Sequence, residues 1–267
     1  LKIAWRNLFK SKSFSILNIL GLSIGMASSI LILLWVQNEV SYDQFHTDSE
    51  RTYRFIVNSG DFKTAVSSAG MPPDLKDELS EIESIVRTTK FQNVLFNVGD
   101  AVYEENHFMY VDHNFLSFFD FPLIRGEKST ALKNPNTIVL TESMAKKYFG
   151  EKDALGKTIK LNNSKNWEVT GILKDLPPNS HFKFDFIAPT STFAGDNPNF
   201  ANNSWGKFDY YSYFKLDKNV AFSKKGVSDL ETKINAIADE RLDNETFNFR
   251  LQPLEDIHLH SNLQALL

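Results

Sequence analysis

Three stretches of this chain bring chemically capable residue types close together. Gly156-Lys157-Thr158 offers the glycine, amine and hydroxyl of a phosphate-binding loop. Such a loop needs four residues between its glycines and a strand before it. Here five residues separate Gly150 from Gly156, and the preceding element reads as a helix, so no nucleotide site is expected. His258 and His260 would share one face of a strand at i, i+2, a spacing compatible with metal ligation. Only Asp256 stands near to complete a set, and zinc takes three or four protein ligands, so a structural or surface role is expected. Asp196 to Asn203 is rich in oxygen donors but lacks the spacing of a calcium loop, and reads as a solvated turn. The chain has no H-E-x-x-H helix motif. No residue is assigned a catalytic, cofactor-binding or metal-ligating role, no cofactor is expected, and the chain is not expected to be an enzyme.

The stretch that organises the chain is Phe14 to Val36, 23 residues without a charge or a proline. As a helix it would measure roughly 34 Å at ~1.5 Å per residue, enough for a bilayer core of ~30 Å. A buried core helix would be shorter. A secretory signal with cleavage after Gly25-Met26-Ala27 would stop there, whereas Ile30 to Val36 stays apolar. Lys2, Arg6, Lys10 and Lys12 precede the stretch with no acid among them, while Glu39, Asp43, Asp48 and Glu50 follow it. Basic flanks stay in the cytoplasm, so the N-terminus is expected inside and residues 37–267 outside. Trp5 lies among the leading cations with Ile3, Leu8 and Phe9, which suits a short interfacial helix; a disordered basic tail is the alternative. Lys2, Trp5, Arg6, Lys10 and Lys12 are the expected cytoplasmic-side anchors. Gly21, Gly25 and Ser29 recur every four residues along one face, as small residues do where two membrane helices pack; glycine is also common in membrane helices without such a role.

The first 36 residues hold four cations, which leaves 25 Lys and Arg against 33 Asp and Glu beyond them. An acidic domain has no electrostatic footprint for nucleic acid. With 23 Phe and 8 Tyr it can fill a sizeable core, and the absence of cysteine excludes a disulfide scaffold and fits a bacterial periplasm. Its patterns predict strands at Thr52 to Val57, Ile85 to Phe91, Val94 to Val98 and Ala101 to Glu104, a helix from Pro72-Pro73 to Leu79, and a helical turn at Asn114 to Phe119. Ile138 to Leu140 reads as a strand. Thr141 would cap a helix to Phe149, and Gly150 would end it. Lys157 to Leu161 and Trp167 to Leu173 form a hairpin, and His181 to Ile187 alternates as a strand. Asp209 to Leu216 is a further strand. Ser228 and Glu231 read as a capping box before a helix with Leu230, Ile234, Ile237, Ala238 and Leu242 on one stripe, and Phe247, Phe249 and Leu251 alternate on a closing strand. The expected fold is α+β, one transmembrane helix followed by strand-helix-strand units in two lobes with helices on one face.

W-R-N-L-F-K-S-K-S-F, L-N-I-L-G-L-S-I-G-M-A and E-V-S-Y-D-Q-F-H at the start resemble the first membrane helix and following segment of FtsX/MacB-type ABC transporter permeases, especially those of Bacteroidetes. T-E-S-M-A-K-K-Y-F-G from Thr141, L-G-K from Leu155, W-E-V-T-G-I-L-K-D-L-P from Trp167, N-S-H-F from Asn179 and I-H-L-H-S from Ile257 are similar to that family's periplasmic core domain. The resemblance implies an inner-membrane permease subunit, with residues 1–36 forming the cytoplasmic segment and helix and residues 37–267 the periplasmic domain. It implies a separate cytoplasmic ATP-binding subunit and a homodimer or pseudo-dimer of permeases. It also implies that ATP-driven motion crosses the membrane to the periplasmic domain for export or extrusion. The family's further membrane helices would follow Leu267, so the sequence is expected to be a piece of a longer protein. A single-pass, membrane-anchored periplasmic binding or scaffold protein is the alternative.

Overall fold

The computed structural model describes residues 12–60, 62–99, 101–162, 165–242, 247–261 and 263. Helix α1, Lys12–Val40, is unbroken and has no buried residue. It begins two residues before the uncharged run and continues past Val36 through the polar Gln37, Asn38 and Glu39. Among the described residues it is the one helix long and apolar enough to cross a membrane.

The chain then lays down β1 (Thr52–Ser59), β2 (Phe62–Thr64), β3 (Val66–Ser68), α2 (Met71–Glu78) and β4 (Ile82–Thr89). A run from residue 92 to residue 189 follows: β5 (Gln92–Val98), β6 (Ala101–Val111), α3 (Phe115–Phe118), β7 (Leu123–Gly126), β8 (Thr137–Thr141), α4 (Glu142–Phe149), β9 (Thr158–Leu161), β10 (Lys165–Leu173) and β11 (Phe186–Pro189). The last elements are α5 (Thr190–Ala194), α6 (Pro198–Ala201), β12 (Phe208–Leu216), α7 (Lys218–Ala221), α8 (Lys224–Leu242), β13 (Asn248–Pro253) and α9 (Ile257–His260).

The middle run closes on itself. The order β5-β6-β11-β8-β10-β9 returns to β5, with β6/β11 and β8/β10 parallel and the other pairs antiparallel. Every strand of this barrel sends alternate residues into one cluster, among them Phe96, Phe108, Leu140, Ile159, Trp167 and Phe186. Met144, Ala145, Tyr148 and Phe149 of α4 pack against it, as their spacing predicts. The second lobe is an antiparallel sheet, β4-β12-β1-β13, with β3 added to β12 and β2 to β1. One face carries Phe55, Phe214, Phe249 and Leu251 under Met71 and Leu75 of α2 and Leu230, Ile234 and Ala238 of α8. Helices on one face of a sheet are thus present in this lobe.

Between the lobes lies a third cluster rich in phenylalanine. Phe115, Phe119, Phe121, Phe182 and Phe184 meet mostly edge to face or tilted, with Phe119 and Phe182 ring centres 5.0 Å apart and Phe115 stacked parallel to Phe121. The expected strand from His181 is therefore shorter than its alternation suggests. Only Phe186–Pro189 joins a ladder. Phe182 and Phe184 belong to the central cluster while Phe186 fills the barrel. Two caps also differ. No side-chain cap comes from Thr141, whose Oγ1 is buried without a partner among the described residues; Asp175 Oδ1 accepts from Ser143 N at 2.9 Å instead. Helix α8 begins at Lys224, so Ser228 lies inside it. Glu231 reaches across to accept from Leu251 N at 2.8 Å, a tertiary contact in place of a capping box. Asp196 to Asn203 is not wholly loop, since α6 forms within it.

Candidate functional site: the joint between the membrane helix and the folded domain

Polar contacts concentrate where α1 ends. After Val40 the chain turns, and Asp43 takes a left-handed backbone conformation, φ +59°, which an L residue adopts at a cost unless its surroundings hold it there. They do. Asp43 N donates to Asn179 O at 2.9 Å. Its carboxylate, fully buried, accepts from Ser180 Oγ at 3.3 Å, His181 N at 3.1 Å and His181 Nδ1 at 2.8 Å. Asn179 Nδ2 donates to Ser41 O and to Ser41 Oγ, both at 3.0 Å. The far ring nitrogen of His181 lies 2.9 Å from the Tyr213 hydroxyl on β12. Burial would raise the Asp43 pKa, but the charge and hydrogen bonds of His181 outweigh it and hold the carboxyl below its ordinary 3.8. Buried polar groups of this kind are stable only when every partner is present.

The rest of the segment is fastened to other elements. Glu39 Oε2 lies 2.7 Å from His258 Nε2, and the Tyr42 ring stacks on His258 at 3.4 Å. His46 Nδ1 accepts from Asp120 N at 3.0 Å, so its proton sits on Nε2, a buried atom without a partner among the described residues. Its ring sits among Phe45, Phe119 and Phe121, and burial pushes its pKa down to about 4. Thr47 N donates to Asp120 Oδ2 at 2.7 Å, and Ser49 Oγ to Glu255 Oε1 at 2.7 Å. Asp48, held down to about 2 chiefly by its hydrogen bond from Arg51, also accepts from Lys215 at 2.8 Å. Behind this layer Arg54, 1% exposed, donates to Gln252 Oε1 at 2.7 Å and Ser261 Oγ at 2.8 Å.

Asp43, His181 and Tyr213 have the order of an acid, a base and a hydroxyl, as in nucleophilic catalysis. Tyr213 is 0% exposed and burial raises its hydroxyl pKa, so no substrate reaches it and the row braces the joint. His258 and His260 sit on α9 and not on a strand. At i, i+2 on a helix they diverge, and His258 is taken up by Glu39 and Tyr42. The amides that a phosphate would need are also committed: Gly156 N donates to Val169 O at 2.8 Å and Lys157 N to Ala154 O at 3.1 Å. In the Asp196 to Asn203 stretch, Asp196 takes Lys165 at 3.1 Å and Asn203 Oδ1 takes Arg87 at 3.3 Å.

Gly21, Gly25 and Ser29 do lie along one face of α1, at the floor of a shallow groove rimmed by Leu22, Met26 and Ile30. Ser29 Oγ donates to Gly25 O at 2.9 Å, and a Cβ at either glycine would meet nothing within 4 Å. Lys12 is the exposed first residue of α1. Lys2, Trp5, Arg6 and Lys10 lie outside the described residues. The joint itself was not foreseen as a unit, because Asp43 and His181 stand 138 positions apart. Its only trace in the sequence was that Y-D-Q-F-H, N-S-H-F and I-H-L-H-S each carry the family resemblance, and these three are the segments that meet here.

Residues 15–226 match the family described as the MacB-like periplasmic core domain. Similar solved structures include a domain of a protein named as a permease from Porphyromonas gingivalis, at TM-score 0.68 and 24% identity, covering 83% of this chain and 96% of that one. The periplasmic region of MacB from Actinobacillus actinomycetemcomitans aligns at TM-score 0.55 and 16% identity, covering 74% and 87%. The extracellular domain of the noncanonic ABC-type transporter YknZ from Gram-positive bacteria aligns at 0.54 and 13%, covering 75% and 99%. A search of curated proteins finds no match. These identities speak for the fold. The family match, which spans most of the chain from within α1 to the start of α8, speaks for membership: the chain belongs to the MacB-like periplasmic core domain family, the periplasmic part of ABC-transporter-type permeases.

Proposed function

We propose that this chain acts in a permease subunit of an FtsX/MacB-type ABC transporter in the inner membrane. Residues 1–36 form its cytoplasmic segment and membrane helix, and residues 37–267 its periplasmic domain. ATP is hydrolysed by a separate cytoplasmic subunit. Lys2, Trp5, Arg6, Lys10 and Lys12 hold the cytoplasmic end, and the face of Gly21, Gly25 and Ser29 packs against a second permease helix in a homodimer or pseudo-dimer. Motion of α1 then reaches the periplasmic domain and drives export or extrusion. The observation that carries this reading is the joint. A helix that only anchors needs no charged clamps on both sides of its exit, one of them buried, whereas a helix that transmits motion needs its last turn fixed to the body it moves.

The topology is tested by fusing alkaline phosphatase after Leu267, which should be active in cells; an active cytoplasmic reporter at the same point would overturn it. The coupling is tested by Gly25→Leu, which should leave insertion intact while weakening subunit association and transporter function. Unchanged association and function would favour a single-pass periplasmic binding or scaffold protein.

A further inference from the structure

The apolar run from Phe14 to Val36 is roughly 34 Å long against a bilayer core of ~30 Å, so the core ends close to Val36. Trp35, 63% exposed, stands at that level, where tryptophan concentrates in membrane proteins. Glu39 is only about 4.5 Å further along the axis, within a headgroup layer roughly 5–8 Å deep. Helical side chains lean toward the helix N-terminus, which for Glu39 means back toward the membrane. Its carboxylate meets His258, and Tyr42 stacks on the same imidazole. Helix α9 is therefore pinned at the depth of the headgroups.

The neighbours of that pin have the composition of an interfacial surface. Leu259 is 47% exposed next to His258, and Val40 is 52% exposed on the last turn of α1. The ammonium of the exposed Lys183 lies 5.8 Å from the Tyr42 ring centre and is hydrogen-bonded to Pro178 O. An apolar side chain beside a tyrosine and an exposed lysine matches the boundary between acyl chains and phosphates.

We propose that Val40, Tyr42, Lys183 and Leu259 form a lipid-contact surface around the exit of α1, so that the folded domain rests on the phospholipid headgroups. The occupant is phospholipid because the surface is continuous with the spanning helix and lies within a headgroup's depth of its apolar end. Leu259 enters the glycerol region and Lys183 faces phosphate. This rests on the reading of α1 as membrane-spanning.

The chain has no cysteine, so single substitutions carry a nitroxide label cleanly. Leu259→Cys, Ile24→Cys at mid-helix and Val102→Cys on β6 are each labelled in the full chain, reconstituted in vesicles of phosphatidylethanolamine and phosphatidylglycerol. Relaxation by oxygen, which partitions into lipid, is compared with relaxation by a water-soluble nickel chelate. The ratio at Leu259→Cys is expected several-fold above that at Val102→Cys and below that at Ile24→Cys. A ratio equal to that at Val102→Cys would overturn the proposal. So would protection from both relaxing agents, which would mean that protein covers the site. An aqueous ratio at Ile24→Cys would instead remove the membrane reading itself, so the two failures are distinguishable.

Discussion

Along α1 no side chain is buried, and among the described residues the only side-chain hydrogen bond up to Val36 returns to its own backbone, from Ser29 to Gly25 O. From Glu39 to Ser49, by contrast, Glu39, Ser41, Tyr42, Asp43, His46, Thr47, Asp48 and Ser49 all hold a partner from elsewhere in the domain. The first region is stable through its solvent, since lipid and intrahelical hydrogen bonds satisfy it completely. The second is stable through mutual dependence, and loses most when a single member is removed. A helix that must slide or rotate in lipid and a joint that must not yield ask for these two kinds of construction.

The contrast breaks most sharply at Asp43. Asp43→Ala strands His181 and Ser180 beside a buried gap, and removing one member of a buried charged pair costs about 3–5 kcal/mol. Urea unfolding should show that loss, and Leu20→Ala, on the side of α1 away from the glycines, should show none in the same assay. A smaller loss at Asp43 would mean that the clamp is ornamental.

Acidification loads the same region through His46. The unfolded imidazole titrates near 6.5 and the folded one near 4, so the unfolded chain takes up the proton first. Stability is fully present above about pH 6.5 and should fall by on the order of 3 kcal/mol as the pH drops to about 4. Asp43 adds its own loss lower still: its share is complete above 3.8 and disappears as the pH falls through its depressed folded value. His46→Asn keeps an acceptor for Asp120 N and should flatten the slope between pH 6.5 and 4; an unaltered slope would assign the titration elsewhere.

At the rim the effect should shrink. Glu39 and His258 are both partly exposed, so Glu39→Gln is expected to cost at most about 1 kcal/mol in stability. Double electron–electron resonance between labels on α1 and on the barrel should nonetheless broaden, because the pin sets the angle of the helix. An unchanged distance distribution would mean that the contacts from Ser41 to Ser49 set the angle without Glu39. Gly25→Leu should be smaller still, within ~0.5 kcal/mol for the domain, since a Cβ built there meets nothing within 4 Å beyond the helix's own backbone.

What the sequence revealed was whatever repeats locally. The membrane span, the β9/β10 hairpin, α4 with Gly150 at its end (φ +62°) and the stripe of α8 follow from spacing alone. Misreadings arose where a distant group overrode a local preference. Asp175 took the capping role expected of Thr141, Glu231 served β13 instead of its own helix, and the alternation of Phe182, Phe184 and Phe186 divided between two cores. His258 and His260 read as a strand because alternation over four residues looks alike in a strand and in a single helical turn. The joint was illegible for the same reason: each of its halves is an ordinary polar turn until the other arrives.

The barrel is one uninterrupted length of chain, residues 92 to 189, set between β4 and β12, which pair with each other across it. The strands therefore differ in when they can find their neighbours as the chain is made. Once residue 189 has appeared, all six barrel strands are present and the ring can close. The sheet lobe must wait: β1 and β4 stay unpaired on their main edges until β12 and β13 appear, while α1 is already in place in the membrane. A stalled or truncated intermediate would thus present a finished barrel beside an open, half-built sheet, which makes β1 and β4 the segments that most need shielding from neighbouring chains.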